Sequence, residues 1–199
     1  MPENRKPVRV PVNVMRARLT VIGFNIAIVS FQIAQLGSAA DGLRVPGLGR
    51  AVHVVADIEL YMALSLSVIA LLAFIISCDI DEAGVCTHWS LIAGDLLMYM
   101  AVAHTVAGFF APLATAIETV AGELPDKATE MSVLQSGTII SGGAAWFLAN
   151  YIGPIVSLVR SHFQRRTNIT LGIGYLLVLL EFCWLTAQTV REESAVSGD

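Results

Sequence analysis

The chain has 199 residues, 55% of them hydrophobic and 14% charged, with a formal net charge of -4 and a mean hydropathy of +0.69. Soluble domains carry about 25% charged residues, so this composition indicates an all-α, polytopic transmembrane helical bundle and leaves no room for a soluble domain. It also excludes a basic nucleic-acid-binding face, and Cys78, Cys86 and Cys183 give neither a disulfide framework nor a CxxC metal spacing.

A span needs about 20 apolar residues, which predicts five spans, with four as the alternative, between a basic segment at 1–18 and a polar tail at 191–199. Residues 1–18 carry Arg5, Lys6, Arg9, Arg16 and Arg18 against the single acid Glu3, with Pro2, Pro7 and Pro11 opposing a continuous helix. The first apolar run, 19–40, bears a stripe of Asn25, Gln32 and Gln35 that should face protein. Its end, Ser38-Ala39-Ala40, also fits a signal-cleavage site. The basic lead and the polar stripe oppose that reading, and cleavage would leave four spans.

After the turn-rich connector 41–50, the second span covers 51–77. His53, Asp57 and Tyr61 share one of its faces, whereas Glu59 points about 200° away from Asp57. Two acids so placed cannot enter one small cavity, which predicts that one of them lies at headgroup level or at a subunit contact. The acidic loop 78–88 has a superficial likeness to a calcium loop, but Ala83 and Ser90 stand where ligands are required.

The apolar run from Trp89 to Ala121 is the longest and still contains Asp95, His104 and Glu118, with Pro112 a candidate kink. The fourth span, 133–159, places Gly137, Ser141, Ala145 and Ala149 at four-residue spacing, a pattern that lets membrane helices approach closely. It predicts an internal helix pair or a homo-oligomer. A basic loop follows, with Arg160, Arg165 and Arg166, and the last span, 169–190, holds Glu181 near mid-depth on a stripe with Gly174 and Gln188.

Eight of the twelve Lys and Arg residues fall on one side if five spans begin from a cytoplasmic N-terminus. The positive-inside rule then predicts a bacterial-type inner membrane protein with an outer C-terminus. Ionisable groups inside a membrane mark functional sites by default. Asp57, Asp95, His104 and Glu181 therefore define an expected pathway for protons or a small ion, with His104 and Glu181 at its centre and the two aspartates at its mouths. The alternative for the same central pair is one interhelical hydrogen bond acting as polar glue. From a different class comes a membrane anchor or sensor whose Arg160, Arg165 and Arg166 recruit a soluble partner.

Haem b between His53 and His104, or quinone chemistry, is a third reading, but the two histidines differ in expected depth. No cofactor and no metal are expected. No nucleophile elbow, HExxH or phosphate loop is present, so an enzyme is not expected.

Overall fold

A computed structural model describes residues 8–9, 11–36, 43–44, 51–52, 54–78, 85–86 and 88–196. Ser38-Ala39-Ala40, His53 and the acidic positions of the 78–88 loop lie outside these residues, and so do the cleavage, haem and calcium readings that depend on them. Among the described residues, five helical spans long and apolar enough to cross a membrane run over Val12–Gln35, Val54–Ser77, Ser90–Glu123, Thr129–Arg160 and Arg165–Thr189. This is a multi-pass membrane protein with an all-α fold.

The first helix, α1 (Val12–Leu36), starts earlier than composition suggests. Pro11 leaves its carbonyl free for the amides of Val14 and Met15, at 2.8 and 3.2 Å, so the chain is helical immediately after the proline. Arg16 and Arg18 thus belong to the helix and not to the basic lead. Ahead of it, Val8–Arg9 pairs with Val85–Cys86 in a two-residue antiparallel ladder. That pairing places Val8–Arg9 and Val85–Cys86 at the same end of the bundle. Leu43–Arg44 pairs with Ala51–Val52 in the same way within the first connector.

The helices α2 (Val54–Ser77) and α3 (Ser90–Glu123) form the most extensive pair in the fold. Ala56, Ala63, Ala70 and Ser77 recur every seventh residue of α2 and alternate with Leu60, Ser67 and Phe74, and all seven are buried. Alternate steps of four and three residues make a helix-packing seam. On α3, a Cβ at Gly94 would stand 2.9 Å from Phe74, and a Cβ at Gly108 would stand 2.9 Å from Leu60. The two glycines and their two partners are each fourteen residues apart, so they fix an antiparallel register at both ends of the contact. Asn25 of α1 joins the pair by donating from Nδ2 to Ser67 Oγ at 3.0 Å. Asn25 therefore faces protein, as its stripe predicts, Gln32 is half-buried and Gln35 is exposed.

The fourth span is composite: α4 (Ala128–Phe147), a π-helical turn at Leu148–Ile152, and α5 (Gly153–Arg160). Pro154 has no amide to give the carbonyl of Asn150, four residues back. That carbonyl instead accepts from the hydroxyl of Tyr175, at 2.9 Å, in the last helix, α6 (Arg165–Val196). The proline thus makes the irregular turn, and the tyrosine answers for it.

The small-residue face of α4 is split by this arrangement. Gly137 and Ser141 are exposed, Ala145 is half-buried and Ala149 is buried. The glycine that meets α3 is Gly142, where a Cβ would lie 2.7 Å from Phe110 Cγ. Gly142→Ala should lower the denaturation midpoint in detergent by the equivalent of about 1–3 kcal/mol, the usual cost of overpacking. Gly137→Ala, with nothing within 4 Å of its Cβ position, should move it by no more than about 0.5 kcal/mol. Equal shifts in the two variants would contradict the assigned α3–α4 contact.

Candidate functional site

Two polar centres lie on α3, separated by nine residues, which is about 13–14 Å along a helix rising ~1.5 Å per residue. At the first, Asp95 is bound in a two-point contact by Arg18 of α1. Nε lies 2.6 Å from Oδ1, and Nη2 donates to Oδ2 at 2.6 Å. Ser157 of α5 donates a further hydrogen bond to Oδ2 at 2.9 Å. The guanidinium carbon stands 5.7 Å from the ring centroid of Phe74, so an aromatic face covers the cation where no carboxylate does. Three helices from separate parts of the chain converge on this one carboxylate.

At the second centre, His104 Nδ1 lies 2.5 Å from Oε2 of Glu59 on α2. Thr186 of α6 donates to the other carboxylate oxygen, Oε1, at 2.8 Å. Both members of the pair are 6% exposed. Phe182 presents its edge to the imidazole, with centroids 5.1 Å apart, and closes the side toward α6. His104 Nε2 is buried and has no hydrogen-bond partner among the described residues. The pair forms the floor of a partly open cleft of about 480 Å³, walled by Trp146, Leu179 and Cys183, with Arg191 also on its lining.

Chemically, the His104–Glu59 pair is an acid–base couple. With one proton to share, it is neutral overall whether that proton resides on the carboxyl or makes the imidazole a cation, and Nε2–H is a donor in both forms. Losing that proton leaves the carboxylate held by Nδ1–H and by Thr186, with Nε2 a bare acceptor. The contact between Nδ1 and the carboxyl group is kept in both states, while Nε2 has no partner among the described residues in either.

The expected site residues are only partly brought together. His104 is paired with Glu59 and not with Glu181. Tyr175, Leu179, Phe182 and Thr186 set the inward face of α6, and Glu181, exposed, lies two residues and about 200° from Leu179. Asp95 is engaged by Arg18, which the sequence places in the basic lead. Asp57 is buried, its Oδ1 without a partner among the described residues. Glu59 is buried as well, so both acids of α2, which fall within the first two turns of its span, are enclosed by protein. The helix has neighbours on more than one side, because α1 and α3 both pack against it.

The residues missed by sequence reasoning are Glu59, Arg18 and Thr186. Arg160, Arg165 and Arg166 are exposed around a turn fixed by a hydrogen bond from Ser161 Oγ to Asn168 Oδ1 at 3.0 Å and another from Asn168 Nδ2 to the Leu158 carbonyl at 3.3 Å. No protein-family model matches the chain, and comparison with curated proteins and with solved structures finds no match either.

Removing one member of a buried ion pair strands the other, at a typical cost of about 3–5 kcal/mol, whereas removing both is far milder. Arg18→Met should therefore destabilise the protein more than the double variant Arg18→Met/Asp95→Asn. Thermal denaturation in one detergent would read this order, and a double variant at least as unstable as the single one would contradict it.

Proposed function

We propose that this protein moves protons, or a small cation exchanged against them, across a bacterial-type inner membrane, with its N-terminus cytoplasmic. The observation that carries this reading is the buried His104–Glu59 couple at the floor of a cleft. Burying an ionisable side chain in a membrane helix costs about 2.5–3.5 kcal/mol on insertion scales. An acid and a base that share a proton reduce that cost while keeping the proton exchangeable.

In this reading the cleft supplies the outer access and His104 receives the proton at Nε2. Glu59 offsets the imidazolium charge, and Thr186 holds the carboxylate in place. The Asp95–Arg18–Ser157 cluster is the inner station. Leu96, Met100 and Ala101 are buried on α3 between the two stations, so passage requires helix movement and not a standing water column. Release of Asp95 from Arg18 is the step that opens the inner side.

A second reading, recruitment of a soluble partner by Arg160, Arg165 and Arg166, is favoured by their exposure on a hydrogen-bonded turn. It predicts sensitivity at those arginines and none at His104.

Proton flux into liposomes containing the purified protein tests the proposal. His104→Gln and Glu59→Gln should each reduce flux by about ten-fold or more, the scale on which positioned acid–base groups act. Glu181→Gln should leave it within about two-fold, because that carboxyl is outside the couple. Absence of flux in the parent, with all three variants folded and inserted, would sink the transport reading.

A further inference from the structure

The cleft beside the His104–Glu59 couple follows α6 from Leu179 to Arg191. Those residues are twelve apart, which is about 18 Å at ~1.5 Å per residue. An acid and a base stand in its lining, yet the lining is mostly carbon. The reason is how the polar atoms are used. Both oxygens of Glu59 are engaged, Oε2 with His104 Nδ1 and Oε1 with Thr186, and His104 Nε2 is closed over. Asn150 turns both its backbone and its side-chain carbonyl to the hydroxyl of Tyr175. Along most of its length the cleft therefore offers an occupant apolar contact.

Arg191 is the exception. It is exposed and stands two residues beyond the last span, which ends at Thr189. It makes no ion pair or hydrogen bond with another described residue. The couple, sharing one proton, is neutral overall, so Arg191 sets the sign of the charge at the cleft. A long carbon-lined space below one free guanidinium at headgroup level has the polarity of a single-chain anion, whose head stays at the interface while its body leaves water. The cleft volume of about 480 Å³ also lies in the range of roughly 300–1,000 Å³ that encloses one small molecule. It accommodates one chain more readily than the two of a phospholipid.

We propose that this cleft binds a fatty acid carboxylate of medium chain length, with its head on Arg191 and its chain laid past Ala187 and Trp146 to Leu179. The chain crosses the couple where no polar atom is left open to it. The assignment names a ligand for the outer access of the transport site and rests on that reading for its place there, but binding itself requires no flux.

The test uses the full chain in nanodiscs of phosphatidylcholine, with Trp89→Phe and Trp184→Phe so that Trp146 is the remaining indole. Decanoate brominated along its chain should quench Trp146 saturably, and unlabelled decanoate should reverse the quenching. Arg191→Gln should weaken this binding by about five-fold or more, the scale of a hydrogen bond to a charged group. The methyl ester of the same acid, which lacks the anion, should bind the parent more weakly by a similar factor. Ala187→Phe, which fills the cleft from an exposed position, should abolish the saturable component. Both substituted positions are exposed, and an unchanged denaturation midpoint shows that the variants fold. Quenching that never saturates and is equal in the parent and both variants, as partition into the bilayer alone produces, would overturn the proposal. Equal saturable quenching by brominated phosphatidylglycerol would overturn it too, since the occupant would then be a phospholipid. A protein without proton flux can still give the expected quenching, whereas failure of quenching in a protein with normal flux removes this assignment alone.

Discussion

The close approach of α2 and α3 is the contact on which the rest of this bundle depends. Two glycines of α3 receive Leu60 and Phe74 of α2 at contacts fourteen residues apart, so the two backbones remain near each other over most of a bilayer. Any side chain larger than hydrogen at Gly94 or Gly108 would separate them. Close approach is also what allows Glu59, with a short side chain, to reach an imidazole on the neighbouring helix. Packing of small residues and placement of the polar couple are therefore one feature. With no hydrophobic force to drive helices together inside lipid, such packing and the hydrogen bonds it permits are the main attractions available.

Every well-buried ionisable group of α3 is answered by another helix. Asp95 is held by α1 and α5, and His104 by α2 and α6. The longest helix thus acts as a spine whose two polar stations draw in the remaining spans at different depths. The π turn before Pro154 follows the same logic. A carbonyl released by a proline costs free energy in a membrane unless a donor finds it, and Tyr175 provides one from α6. The irregularity of the fourth span and the position of the last are linked through that bond.

Much of this was legible in the sequence, and the reasons for the rest are specific. The five spans follow from apolar length, and the inward position of Asn25 follows from the cost of a carboxamide in lipid. His104 stands out as the one histidine of the Trp89–Ala121 run, although the groups it is joined to, Glu59 and through it Thr186, belong to the terminal turns of their spans. Its partner was not identifiable, because a helical wheel separates Glu59 from Asp57 without saying which face meets α3. A usable signal existed in the seven-residue repeat of Ala56, Ala63, Ala70 and Ser77, which marks the seam of α2 and shows that helix to be central. Arg18 was hidden by composition, since it stands in a basic segment and reads as one more cytoplasmic charge. Only the early start of α1 at Pro11 brings it level with Asp95.

Glu181 shows the limit of arguments from depth alone. Its place near mid-membrane is readable from chain length, and so is the need for a partner, but the direction of its side chain depends on which face of α6 the bundle uses. That face is set by Tyr175, Leu179 and Thr186, each engaged by a group from an earlier helix. Once those three are fixed, the 100° step between residues sends Glu181 outward with no freedom left. The same helix therefore completes the buried couple on one side, through Thr186, and leaves Glu181 exposed on the other.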